Sequence, residues 1–203
     1  MPLKPTLPPS VAGRRDALRR LVALTASGAL GALAAGASRS ARADVIVVKS
    51  AELRSEEDGY MLNAEFDLTI NSTLEEALQR GVPLYFLLEF EVLRARWYWL
   101  DEKVLSSDTQ YRIAWNALTQ QYRVSSGLFA QTLYALDEVQ RFLSRVTSRP
   151  VARRDQLQSG VRYEAALRLR LDVNQLPKPF QVNALTSREW SLQSDWYRWS
   201  FIA

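Results

Sequence analysis

The chain has no cysteine and no histidine among its 203 residues. Without cysteine no disulfide can staple the fold, so burial and hydrogen bonding alone must hold it. Catalysis by Ser-His-Asp or Cys-His is excluded, and so are the ordinary zinc sites built from those ligands. A metal would need oxygen donors, and proton transfer would fall to Asp, Glu, Lys or Tyr. No cofactor is expected. Aromatic residues are missing from the first 43 positions, although the chain holds six tryptophans, eight tyrosines and seven phenylalanines. The 160 residues that follow are therefore aromatic-rich and long enough to bury a core.

A basic surface is also missing from that body. The whole chain carries 26 Lys and Arg against 22 Asp and Glu, net +4. Seven of the bases and one of the acids lie in the first 43 residues, which leaves 19 bases against 21 acids, net −2. The electrostatic footprint of a nucleic-acid binder is absent.

What the N-terminus does contain is ordered by type. Lys4, Arg14, Arg15, Arg19 and Arg20 come first, an uncharged Ala, Gly and Leu-rich run follows from Leu21 to Ala37, and Ala41-Arg42-Ala43 supplies an A-x-A site. That layout is a secretory signal of bacterial type, cleaved after Ala43. It places residues 44–203 in the periplasm as one β-rich domain with no stable membrane span. The competing reading is an uncleaved anchor, which Gly28, Gly31 and Gly36 make a poor span. Arg14-Arg15-Asp16-Ala17-Leu18-Arg19 resembles a twin-arginine signal, and two arginines also suit any basic leader.

Alternation dominates the body. Apolar residues occupy the even positions from Tyr60 to Ile70 and again from Leu84 to Val92, and the odd positions from Val161 to Val173. Period two marks half-buried strands. Further strands are expected at 45–54, 109–116, 120–125, 180–185 and 195–202, with turns at Glu56–Gly59 and Asn116–Thr119. Ser72-Thr73-Leu74-Glu75 reads as a capping box that opens a short helix, closed by Gly81 and Pro83. A longer helix is expected over 128–146, from Phe129, Leu133, Leu136, Val139 and Leu143 at helical spacing. About seven or eight short antiparallel strands point to an Ig-like β-sandwich with one short and one longer helix. The alternative is an α+β layout, a curved sheet with a packed helix.

Several segments resemble one family. They are Leu74-Glu75-Glu76-Ala77-Leu78-Gln79-Arg80-Gly81-Val82-Pro83-Leu84, then Arg96 to Lys103, the hairpin from Tyr111-Arg112 to Gln121-Tyr122-Arg123, Leu176 to Ala184, Trp190, and Asp195 to Trp199. Together they resemble, in family order over 44–203, the proteobacterial domain-of-unknown-function 4390 proteins (DUF4390). The resemblance implies a small exported protein with no assigned activity, whose gene tends to lie beside a membrane sensor kinase. It implies no catalytic residue.

The residues themselves offer a few sites. Trp97 and Trp99 share one face of an expected strand, with Arg94, Arg96 and Tyr98 on the other, and Trp196 and Arg198 alternate with Tyr197 and Trp199. Trp97, Trp99, Arg96, Trp196, Arg198 and Trp199 are the binding candidates, since tryptophan offers a stacking face for sugars, peptides or arginine. The competing reading is core packing or an Arg–Trp ladder. Glu89 and Glu91 are the carboxylate pair a glycosidase would need, against simple pairing with Arg168 or Arg170 across strands. Glu56-Glu57-Asp58 lacks the alternating ligands of a calcium loop and reads as a solvated tip. Leu176 to Phe180 reads as a stiff connection, or as a short polyproline-like ligand. Three functions are carried forward. The first is a non-catalytic interaction module with a protein partner in the cell envelope, a sensor kinase by the family resemblance. The others are a small-ligand or glycan-binding sandwich and a carboxylate-only enzyme.

Overall fold

The structure, a computed structural model, describes residues 46–94 and 102–203. Nine strands among the described residues form two antiparallel sheets. The smaller sheet has the order β1 (Val47–Glu56), β2 (Gly59–Asp67) and β7 (Arg145–Arg153). The larger has six strands. It runs from β6 (Phe129–Leu133) through β5 (Gln121–Ser126), β4 (Glu102–Asn116) and β3 (Leu84–Arg94) to β8 (Arg162–Leu171) and β9 (Tyr197–Ile202). The arrangement is sandwich-like and mostly β, as the alternation requires.

The period-two pattern decides which face is buried. On β2 the side chains of Tyr60, Leu62, Ala64 and Phe66 are buried, and on β3 those of Leu84, Phe86, Leu88, Phe90 and Val92. Tyr163, Ala165, Leu167, Leu169 and Leu171 of β8 join the same core. The Tyr60 and Phe201 rings meet edge-on with centroids 6.2 Å apart, tying β2 of one sheet to β9 of the other.

Helix α1 (Ser72–Gln79) buries Leu74, Ala77 and Leu78, as expected. Its cap sits one residue earlier than the capping box suggests. Asn71, in extended conformation, accepts from the Leu74 amide at 3.0 Å, because an Asn side chain reaches the third helical N–H as well as a serine does. Gly81, at φ +85°, closes the other end. The Gly81 amide donates to Leu78 O and the Val82 amide to Ala77 O, the paired bonds of a Schellman motif.

Two expectations change. The helix expected over 128–146 contracts to α2 (Leu136–Leu143). Gly127, at φ +57°, turns the chain tightly, and Phe129–Leu133 then pair with β5 instead of winding. Helical spacing of apolar residues could not exclude a hairpin there. The strand expected at 180–185 is helix α3 (Lys178–Thr186). Pro177 and Pro179 fall at its cap and first turn, where a missing N–H costs nothing. Strand β7, absent from the sequence reading, tolerates Pro150 because it pairs only with β2 and leaves its other edge unbonded in the sheet.

Two tyrosines make this fold sensitive to alkali. Burial raises the hydroxyl pKa of Tyr111 on β4, against the opposing pull of the Arg149 cation. Burial also raises that of Tyr122 on β5, helped by the negative charge of Glu75 and opposed by a hydrogen bond with Gln79. A raised folded pKa means the folded state holds its proton longer. The associated stability is complete below the ordinary tyrosine value of about 10 and is lost as pH rises through the folded values. Urea midpoints followed from pH 8 upward should fall less steeply for the Tyr111→Phe, Tyr122→Phe double variant than for the parent. Parallel curves would show that neither hydroxyl contributes.

Candidate functional site

The outer face of the large sheet holds most of the polar side chains singled out in the sequence. Register places Glu89 of β3 directly opposite Arg168 of β8, and Glu91 opposite Ala166. Glu89 Oε2 accepts from Arg168 Nε at 2.7 Å and from Arg170 Nε at 3.1 Å. Arg170 also reaches Asp172 at 3.5 Å. Glu91 pairs with Lys103 of β4 and not with either arginine. A carboxylate that accepts from two guanidiniums is a fixed acceptor that braces the sheet.

These side chains are only partly exposed, with Glu89 at 15% and Arg168 at 26%. Neutralising one partner therefore strands the other's charge in a poorly solvated place. Glu89→Gln should cost about 1–3 kcal/mol, less than for a fully buried pair. Urea unfolding measures it, and an unchanged midpoint would show that the pair is not structural.

The C-terminal strand explains where the aromatic candidates go. Gln193 bridges to Arg170 and Tyr197 pairs with Leu167, so three residues of the last segment span two of β8. This is a bulge. Ser194 fills it: its amide donates to Leu169 O at 2.9 Å, and its hydroxyl accepts from the Leu169 amide at 3.1 Å. The bulge lays Trp196 over Arg168, with the guanidinium carbon 4.5 Å from the ring centroid. Arg198 is exposed and paired with Glu164 at 2.6 Å. Trp199 faces inward, half-buried, with its ring 6.3 Å from that of Phe90. Trp196 and Trp199 thus lie on opposite faces of the large sheet and form no common platform. Arg96, Trp97 and Trp99 lie outside the described residues.

An exposed aromatic surface lies elsewhere. A groove of about 420 Å³ lies between the β5–β6 hairpin, the end of α2 and the start of β7. Phe129, 52% exposed, stacks on Phe142 with centroids 6.1 Å apart and planes 3° from parallel. Tyr111 meets Phe142 edge-on at 6.0 Å. Arg141, Arg145 and Arg149 supply the polar side, and among the described residues no carboxylate lines the groove. Arg145 and Arg141 have exposed partners, Glu65 at 3.5 Å and Asp137 at 3.0 Å. Arg149 is paired with Leu62 in the register, so it shares the inward side of the small sheet. A bulge at Thr147 and Ser148 precedes it, with Ser148 at φ +46° and its amide on Asn63 Oδ1 at 2.8 Å.

Sequence reasoning missed this groove because it missed β7. Val146, Thr147 and Val151 around Pro150 were the available signal, β-branched residues flanking a residue that rejects helix. Among the described residues no cluster of three or more acidic side chains could hold a metal. No helix among them is long and apolar enough to cross a membrane.

A family model described as "Domain of unknown function (DUF4390)" matches residues 43–200. The chain belongs to the DUF4390 family. No curated protein and no solved structure matches it. The match covers both sheets of the DUF4390 domain except the last two residues of β9, so the groove and the charged outer face both lie within it.

Proposed function

We propose that this DUF4390 domain is an exported, non-catalytic interaction module that docks a protein partner in the periplasm, with a membrane sensor kinase as the partner suggested by the family resemblance. The groove between the β5–β6 hairpin and β7 carries this reading. It combines an exposed aromatic stack with arginines, the residue types that anchor protein interfaces. The carboxylates that a histidine-free enzyme would need, Glu89 and Glu91, are committed to cations. The ordered N-terminal pattern of charge, apolar run and A-x-A site supports export.

Affinity capture from crosslinked cell envelopes tests the reading. One membrane protein should be enriched with the full-length protein over an unrelated exported control. An eluate identical to the control would overturn it. Intact-mass measurement of the exported form should show a chain beginning at Asp44, and a full-length cytosolic chain would remove the export premise.

A further inference from the structure

We infer that the groove receives an acidic segment of the partner, with an aromatic or leucine side chain on the Phe129–Phe142 stack and a carboxylate at Arg149. This deepens the interaction-module reading and rests on it.

Charge complementarity identifies the occupant. The domain after residue 43 is slightly acidic, yet among the described residues the groove is lined by three arginines and no acid. Arg149 is half-buried, faces the inner side of its sheet and makes no ion pair among the described residues. Arg149 and Tyr111 line the same recess. Arg141 and Arg145 spend their charge on exposed acids, in pairs that an incoming carboxylate can replace at little cost. A cation held in a partly apolar recess favours an anion that brings its own apolar body, since neither element then stays exposed. A flat lipid surface would meet the fully exposed Leu128 more readily than the half-buried Arg149. A flexible polypeptide segment can enter.

Selection of displayed random dodecapeptides on the full-length protein tests this. The enriched sequences should carry two or more Asp or Glu residues beside an aromatic or leucine. A synthetic peptide of the enriched sequence should lose about tenfold or more in affinity on Arg149→Gln and on Phe129→Ser. It should also weaken as salt is raised. Arg162→Gln, on β8 away from the groove, should leave binding unchanged. Phe129 is exposed enough that its replacement tests docking even if Arg149→Gln unfolds, which circular dichroism reports. No enrichment, enrichment of basic or uncharged sequences, or binding to both groove variants unchanged from the parent would overturn the inference. So would vesicles of anionic lipid that bind the protein and displace the peptide without any dependence on Arg149. Envelope capture separates the two levels. The same partner on parent and Arg149→Gln protein sinks the groove and spares the module. No partner on the parent sinks both.

Discussion

Replacing Phe90 with alanine should cost about 3–5 kcal/mol, the usual range for deleting a fully buried aromatic. Phe90 is 1% exposed on the inner face of β3, a strand bonded on both sides, to β4 and to β8. Its ring packs near Trp199 of β9. The neighbours cannot collapse freely into the space, because backbone pairing on both flanks fixes their positions. The cavity therefore persists, and its lost contacts add to the lost transfer energy. A domain of this size has about 5–15 kcal/mol in total. With no disulfide to restrain the unfolded chain, nothing offsets the loss. Leu118→Ala, at the exposed tip beyond β4, should change stability by about 0.5 kcal/mol or less. Equal urea midpoints for these two variants would contradict the placement of the core.

Gly59→Ala should be nearly as damaging although it adds a single methyl group. Gly59 has φ +155° and opens β2, between Glu56 of β1 and Arg153 of β7. A Cβ there would lie 2.2 Å from Ala152 O and 3.0 Å from Arg153 Cα, both backbone atoms. Backbone cannot swing aside as a side chain can, so β7 would have to move off β2. The unfavourable dihedral costs about 1–3 kcal/mol and the overlap a similar amount. Gly160→Ala is the matched comparison. Its φ is +78°, but nothing lies within 4 Å of the added carbon, so only the dihedral cost remains. If the two variants unfold at the same urea concentration, the close approach of β7 is wrong.

Both predictions trace to features of different legibility. The core of β2, β3 and β8 could be read in the sequence because period two survives any tertiary arrangement: a strand with one wet face must alternate. The Schellman closure at Gly81 was legible for a similar reason, since its bonds lie within one turn. The 129–133 segment was not. Phe129 and Leu133 fit a helix or a hairpin equally, and pairing with β5 decided between them. The α3 segment failed in the opposite sense, its alternating Phe180, Val182 and Ala184 being overruled by prolines at a helix start.

The candidate sites divide along the same line. The sequence could place Glu89 and Glu91 on one strand face and offer Arg168 or Arg170 as partners, but only register showed that Glu89 takes both arginines while Glu91 meets Lys103. It could place Trp196 and Trp199 near each other in the chain, and the bulge at Ser194 fixed what each of them touches.

By itself, then, the sequence determined a histidine-free and cysteine-free body of alternating strands behind a segment without aromatic residues, and it excluded the chemistry that needs imidazole or thiol. Only the tertiary structure decided the groove. Tyr111, Phe129, Phe142 and Arg149 come from three strands and a helix, and no local pattern links them. Strand pairing is non-local, and a shift of one residue in register would turn each strand residue to the other face.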